Sequence, residues 1–146
     1  MYAHKHGALI SRVGLGIVLL AHSVYLKAMV YTLPGTASYF GSIGLPEALA
    51  YLVFTVEAIA GVALILGYKV RLASLTVVPI LLGATWAHFA NGWLFTNTGG
   101  GWEYPLFLAV AASAQSFLGA GSHALENRRP KEDAGQIGAC VDPVTE

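Results

Sequence analysis

Between two long apolar segments the sequence reads His88-Phe-Ala-Asn-Gly-Trp-Leu-Phe-Thr-Asn-Thr-Gly-Gly-Gly-Trp-Glu-Tyr-Pro105. Because this stretch ends one apolar segment and begins the next, it predicts a tight, glycine-rich turn at a membrane surface. It also holds a histidine, a carboxylate, two tryptophans, a tyrosine and two asparagines. A plain connection between two apolar helices does not need those side chains, so the stretch is a candidate functional site.

The composition indicates a lipid environment. Hydrophobic residues make up 55% of the 146 residues and charged residues 11%, well under the quarter usual for soluble domains. A soluble protein of this composition would expose large apolar patches and aggregate. The formal net charge is zero, and no basic run is interleaved with aromatic residues, so nucleic acid is not expected as a partner. The single cysteine, Cys140, excludes a disulfide framework and an intramolecular Cys-x-x-Cys relay.

Four apolar stretches are long enough to cross a bilayer as helices, which takes about 20 residues each. They comprise residues of about 8–31, 48–68, 71–91 and 104–121. The first is long for a signal peptide and is interpreted as a retained span. Since no period-two alternation favours strands, we predict an all-α integral membrane protein, an antiparallel four-helix transmembrane bundle over residues 1–122. Residues 123–146 are polar and predict a disordered cytosolic tail.

The basic residues predict the orientation. Seven of the eight lysines and arginines lie near the N-terminus, at the 69–71 turn or after the fourth segment, and the eighth is Lys27. Loops 32–47 and 92–103 contain none. The positive-inside rule then places both termini in the cytoplasm and both loops on the other side. Arg12 is expected to reach the cytoplasmic headgroups, toward Glu126.

Each of the four segments supplies one ionisable group to the outer half of the bundle: Lys27, Glu57, His88 and Glu103. Such a group inside a span costs about 2.5–3.5 kcal/mol and usually has a partner. Lys27 either extends to the outer headgroups or forms an ion pair with Glu57 or Glu103. Glu57 lies at about 15 Å depth and is paired, protonated or beside a hydrated cavity.

The remaining notable residues are interpreted mainly as structural, and only the glycine run keeps a functional alternative. In the outer loop, residues 36–41 predict a short helix capped by Thr36. His22, at about 140° from Lys27 on an α-helix, is interpreted as a packing residue. The tryptophans, Trp93 and Trp102, are typical of a membrane-interface belt. The run 99–101 either presents backbone N–H groups to an anion or a quinone carbonyl, or forms a turn that needs positive φ.

Several of these motifs together resemble the DoxX family of small bacterial membrane proteins over about residues 8–122. The resemblance rests on Arg12-Val-Gly-Leu-Gly16, Ala21-His22-Ser23 with Lys27, Leu33-Pro-Gly-Thr36 with Gly44-Leu-Pro46, Glu57 with Gly61, and Asn91-Gly-Trp93 with Gly99-Gly-Gly-Trp-Glu-Tyr-Pro105. It implies a multi-pass, four-helix protein of the bacterial inner membrane. It also implies a link to quinone-dependent oxidation of reduced sulfur compounds and to oxidoreductase complexes that handle thiol or oxidative stress. The family's motif positions are occupied by Lys27, Glu57, Asn91, Gly100, Trp102 and Glu103.

The leading hypothesis is a membrane subunit of a quinone-linked oxidoreductase that needs a redox partner protein. Lys27, Glu57, His88 and Glu103 are its candidate catalytic residues, and Asn91, Gly100, Trp102 and Tyr104 its candidate quinone-binding residues. No metal or haem is expected, although His22 and His88 could in principle clamp a haem. The alternatives are a non-catalytic anchor or assembly partner and a small-solute transporter. A homo-oligomer is compatible with each.

Overall fold

The computed structural model describes residues 2–128, and all regular elements in that range are helices. α1 comprises Tyr2–Leu20 and continues without a break into a π-helical segment, Ala21–Val30. The other helices are α2 (Leu33–Ser42), α3 (Ala48–Leu66), α4 (Val70–Ala87) and α5 (Glu103–Leu118). Short 3-10 turns occupy Phe89–Asn91 and Leu125–Arg128. The predicted all-α class is confirmed.

The long helices run antiparallel in chain order. α1 packs along α3, α3 along α4, and α4 along α5. The start of α1, the end of α3, the start of α4 and the chain after α5 meet at one end of the molecule. We call this the basic end because Lys5, Arg12, Lys69 and Arg71 lie there. α2 and the turn before α5 lie at the opposite end, the loop end.

Three helices are long and apolar enough to cross a membrane: α1 with its continuation (Ala3–Val30), α3 and α4. The protein is therefore a helical membrane protein. The fourth predicted span corresponds to α5, whose 16 residues cover about 24 Å at 1.5 Å per residue. The outward side chains of α5, such as Phe107 and Phe117, are apolar and exposed, as expected for a helix against lipid. That α5 crosses the membrane, and that both termini lie in the cytoplasm, stay predictions.

Two glycines allow α1 and α3 to approach each other closely. A Cβ atom on Gly16 would lie 2.8 Å from the carbonyl oxygen of Gly61, and one on Gly61 would lie 2.9 Å from Cγ of Leu20. Small residues at such positions are what lets transmembrane helices pack closely. The contact therefore leaves no space for a larger residue at either position.

We expect Gly61→Ala to destabilise the protein by about 1–3 kcal/mol, because its methyl group would force α1 and α3 apart. The matched control is Gly83→Ala in α4, where a Cβ would meet nothing within 4 Å. That substitution should be neutral or stabilising, because alanine favours helix over glycine. Unfolding midpoints in detergent micelles measure both. Equal effects of the two substitutions would show that the α1–α3 approach does not limit stability.

The short helix predicted in the outer loop is present, but Thr36 does not cap it. α2 begins at Leu33, and the hydroxyl of Thr32 accepts the capping hydrogen bond from the Gly35 N–H at 3.2 Å. The predicted cap was wrong because Pro34 is tolerated in the first helical turn, so that the helix begins three residues earlier. The Thr36 hydroxyl instead donates to the carbonyl oxygens of Thr32 at 2.9 Å and Lys27 at 3.3 Å.

The chain after α5 folds back over the basic end. Ala124 is buried there, and the Glu126 N–H donates to the Gly67 carbonyl at 3.1 Å. Gly67 ends α3 in the left-handed region with φ 71°, and a Cβ on it would lie 2.6 Å from Cβ of Ala124. Residues 123–128, assigned to the tail by sequence, therefore lie against the α3–α4 turn. The rest of the predicted tail, 129–146, lies outside the described residues.

Candidate functional site

The central polar contact of the bundle is an ion pair between Nζ of Lys27 and Oε2 of Glu57. It joins the π-helical end of α1 to the middle of α3. The side chain of Lys27 is 20% exposed and that of Glu57 is 6% exposed. Charges removed from water to this degree are stable only when paired. Of the alternatives that the sequence left open for Lys27, the structure has the ion pair with Glu57.

The π-helical segment sets the direction of Lys27. Its backbone bonds join residues five apart, as between the Tyr31 N–H and the Leu26 carbonyl at 2.9 Å. In a π-helix, residues five apart lie on nearly the same face. The side chains of Lys27 and His22 therefore diverge by less than the angle of about 140° that an α-helix would give. The Lys27 carbonyl also accepts the Thr36 hydroxyl, which holds α2 above the ion pair.

An aromatic contact joins α1 to the start of α5. The rings of His22 and Tyr104 are stacked, with centroids 5.6 Å apart and an interplanar angle of 29°. Nδ1 of His22 lies 2.9 Å from the Val18 carbonyl oxygen, one turn earlier in α1. Tyr104, a candidate quinone-binding residue, thus already contacts a ring of the protein, while 38% of it is exposed. The pair forms a partly open aromatic wall at the loop end.

The outer turn, residues 88–103, is held together by its own polar groups. Nδ1 of His88 lies 3.0 Å from the Gly99 oxygen and 3.1 Å from the Gly100 oxygen. The Asn91 amide donates to the same two oxygens at 3.1 and 2.9 Å. The Gly100 N–H donates to Asn97 at 2.8 Å, so it is engaged within the turn. Gly99 and Gly100 have φ of 82° and 77°, which favours the interpretation of the glycine run as a tight turn.

The remaining outer-turn residues also have partners within the turn. Glu103 lies in the first turn of α5, and its Oε1 accepts the Phe95 N–H at 2.9 Å. The Trp102 ring meets Trp93 edge-on at 4.5 Å and stacks on Phe89 at 5.5 Å. Such aromatic pairs add to stability beyond the area that they bury. The outer turn is therefore a compact unit in which the candidate residues support one another.

The candidate residues fall into two groups rather than one. The first is the Lys27–Glu57 pair beneath α2. The second lies in the outer turn and comprises His88, Asn91, Gly100, Trp102 and Glu103. Between residues 2 and 128, no hydrogen bond, ion pair or ring contact joins the two groups. Tyr104 is the link between them, because it follows Glu103 in the chain and contacts the helix that carries Lys27.

Arg12 has a role that the sequence did not reveal. It is 1% exposed, and its Nη1 donates to the Leu64 and Ile65 carbonyls at 2.6 and 2.7 Å. Its Nε donates to Ala120 at 2.8 Å and its Nη2 to Ser122 at 3.2 Å. The prediction that Arg12 reaches the headgroups was wrong, because carbonyls at the end of α3 and in the chain after α5 accept hydrogen bonds from all three of its nitrogens. Every residue has a backbone carbonyl group, so the sequence cannot show which carbonyls accept hydrogen bonds from Arg12.

Comparisons with known proteins identify a family for this chain. The DoxX family model matches residues 7–90. One curated relative, "Putative oxidoreductase CatD" of Bacillus subtilis (strain 168), is 35% identical over 78 residues, which are 53% of this chain and 56% of the relative. The chain thus spans about half the length of the curated relative it matches. No solved structure matches it. The family match includes Lys27, Glu57 and His88 and ends before the rest of the outer turn.

Proposed function

Because the chain belongs to the DoxX family, we propose that it is a membrane subunit of a quinone-linked oxidoreductase system that acts in reduced-sulfur oxidation or in handling thiol and oxidative stress. The observation that carries the proposal is the Lys27–Glu57 ion pair between two membrane-spanning helices. Ionisable groups at such positions are costly and usually serve a function. The relative's name, which describes an oxidoreductase, supports the class of reaction.

The residues around the ion pair fit a quinone. An ammonium group has three N–H donors, of which Lys27 directs one to Glu57. The side chain of Lys27 remains 20% exposed, and the proposal assigns its other donors to a carbonyl oxygen of the quinone. The His22–Tyr104 stack adds an aromatic surface on the same helix. Apolar walls with few polar groups are the usual composition of a cofactor pocket.

In this proposal the chain binds the quinone and supplies protons to it, and a partner protein supplies the electrons. A bound quinone would take up two electrons and two protons. Lys27 donates a hydrogen bond to the ligand, while Glu57 fixes the position of the ammonium group and holds a proton that reaches the site. The sequence has neither a cysteine-rich cluster motif nor a glycine-rich dinucleotide fingerprint. The partner that oxidises the sulfur compound or thiol therefore provides the electrons.

We expect Glu57→Gln to lower quinone affinity by about 10- to 100-fold, because a hydrogen bond that involves a charged group contributes about 1.5–3 kcal/mol. The amide still offers Lys27 an acceptor oxygen, so the variant should fold. The measurement is the quinone content of protein purified in lipid nanodiscs, followed by titration of the quinone-depleted protein with a short-chain quinone.

The matched control is Glu47→Gln, the same change at an exposed position just before α3. It should leave quinone content and affinity unchanged. If folded Glu57→Gln binds quinone as tightly as the original protein, the ion pair does not belong to a quinone site and the proposal is wrong. Circular dichroism and size-exclusion profiles of both variants establish that they are folded.

A second candidate function is a non-catalytic anchor or assembly partner for a redox complex. The observation that favours it is the outer turn, whose polar groups bond one another while Trp93 and Phe95 are 51% and 64% exposed. Exposed aromatic residues on a rigid support are suited to contact with another protein. The same purification separates the two functions. A partner recovered equally with the original protein and Glu57→Gln, without quinone in either, favours the anchor.

A further inference from the structure

A second polar site lies at the basic end, opposite the Lys27–Glu57 pair. It is an open cleft of about 880 Å³ between the first turns of α1, the start of α4 and the chain after α5. Five of the side chains that line it are basic or carry imidazole groups: His4, Lys5, His6, Arg71 and His123. Among the described residues of this lining, Glu126 is the one acidic side chain. The cleft therefore offers a positive, donor-rich surface beside three membrane-spanning helices.

We propose that this cleft binds a phosphate group, carried by an anionic phospholipid headgroup or by a small soluble phosphate compound. Basic pockets between transmembrane helices near a membrane surface commonly hold anionic headgroups. The cleft meets that description, because its basic residues come from α1 and α4, whose first turns both lie here. The first turns of helices also favour anions through their backbone N–H groups.

The floor of the cleft is fixed by hydrogen bonds. The Ser122 N–H donates to the Lys5 carbonyl at 3.0 Å, and the Asn127 amide donates to Gly121 at 2.7 Å. Arg12 holds the same segment from below through Ala120. Gly121 has φ 67°, and a Cβ on it would lie 2.6 Å from the Lys5 oxygen. A ligand thus meets a surface formed in advance, which lowers the entropic cost of binding.

Arg71 supplies the strongest phosphate-binding group in the cleft. Its guanidinium lies over the backbone after α5, since a Cβ on Gly119 would be 3.7 Å from its Nε and 3.9 Å from its Nη2. Within residues 2–128 it makes no hydrogen bond. A guanidinium with unused donors binds phosphate oxygens in a bidentate manner. Lys5, exposed on the first turns of α1, adds a second charge.

Glu126 lines the cleft and also has internal partners. Its Oε2 accepts the Val70 N–H at the start of α4 at 3.2 Å, and the carboxylate interacts electrostatically with buried Arg12. These partners offset part of its negative charge at the edge of the cleft. The two exposed cations, Lys5 and Arg71, remain to set the charge that a ligand meets.

The test uses the full-length protein in mild detergent and native mass spectrometry with added phosphatidylglycerol or phosphatidylcholine. We expect Lys5→Gln and Arg71→Gln each to weaken phosphatidylglycerol binding about fivefold, and the double variant about 30-fold. Phosphatidylcholine binding should be weaker from the outset, because its headgroup carries no net charge. A parallel titration with inorganic pyrophosphate distinguishes a soluble ligand from a lipid. Pyrophosphate binding that is lost in the double variant supports the soluble source.

Lys69→Gln is the matched control. Lys69 lies two residues before Arg71 at the same end, but it does not line the cleft. Lys69→Gln should change the affinity for phosphatidylglycerol and for pyrophosphate by less than twofold. If Lys69→Gln weakens binding as much as Arg71→Gln, the attraction is a general surface charge and the proposed site is wrong. The absence of binding by both phosphatidylglycerol and pyrophosphate would overturn it as well. Unfolding midpoints of all variants confirm that the comparison concerns folded protein.

Discussion

Arg12→Gln is expected to lower the free energy of unfolding by about 3–5 kcal/mol, because it leaves buried backbone carbonyls without their charged donor. Typical domains are stable by about 5–15 kcal/mol, so this loss would unfold a large fraction of the protein. The guanidinium of Arg12 bonds the end of α3 and the chain after α5 at once. Glutamine can reach one of these groups at most. Denaturant titration in mixed micelles, followed by circular dichroism, measures the change.

Two further variants test the reason for that effect. Arg71→Gln removes an arginine from the same end, but from an exposed side chain, and should change stability by less than about 0.5 kcal/mol. Arg12→Lys keeps the charge and removes the planar fork, so it should recover less than half of the loss. Full recovery by lysine would show that the charge alone stabilises the bundle. A loss below about 1 kcal/mol in Arg12→Gln would contradict the buried network altogether.

The sequence predicted the membrane class and the long helices, and it gave the ion pair of Lys27 with Glu57 as one of several alternatives, for identifiable reasons. Hydropathy and chain length define spanning helices, because the bilayer has a fixed thickness. A charged residue in a span needs a partner at a matching depth, and Glu57 was one of two carboxylates that Lys27 could reach. The pair could be named among the alternatives because both groups belong to side chains and are visible in the sequence.

What the sequence could not show depends on backbone geometry. The hydrophobic pattern of the sequence does not distinguish a π-helix from an α-helix. The side chains of His22 and Lys27 were therefore predicted to point in different directions. The outer turn unites His88 and Asn91 through glycine carbonyl oxygens, and the sequence alone suggested that these side chains point into a shared pocket. Whether the outer turn and the ion pair act together stays a prediction, because ligand binding rather than internal contacts would have to join them.

Arg12 and Lys27 together explain why α1 holds its position against α3. Arg12 binds the carbonyls at the end of α3, where the helix dipole favours a cation. Lys27 pairs with the carboxylate of Glu57 in the middle of the same helix. Gly16 and Gly61 lie between these two contacts and allow the close approach. The Lys27 pair can therefore be structural, functional or both, and only substitutions that separate stability from ligand binding decide among these.

A double-mutant cycle provides that separation. We expect Lys27→Met alone to cost about 3–5 kcal/mol, because it leaves Glu57 buried without a partner. Lys27→Met combined with Glu57→Leu should come within about 1 kcal/mol of the original protein, since replacing a whole buried pair by apolar groups is often neutral. The coupling energy between the two positions should thus exceed about 2 kcal/mol. Unfolding titrations of the four proteins measure it.

The double variant is the decisive protein for function, because it is expected to be folded and yet to lack both charges. If the pair belongs to a quinone site, the double variant should purify without quinone and fail to bind a short-chain quinone even at about 100 times the original dissociation constant, since binding energy from both polar groups is gone. If the folded double variant retains quinone, Lys27 and Glu57 serve packing alone, and any quinone must bind elsewhere, with the outer turn and Tyr104 as the next residues to substitute.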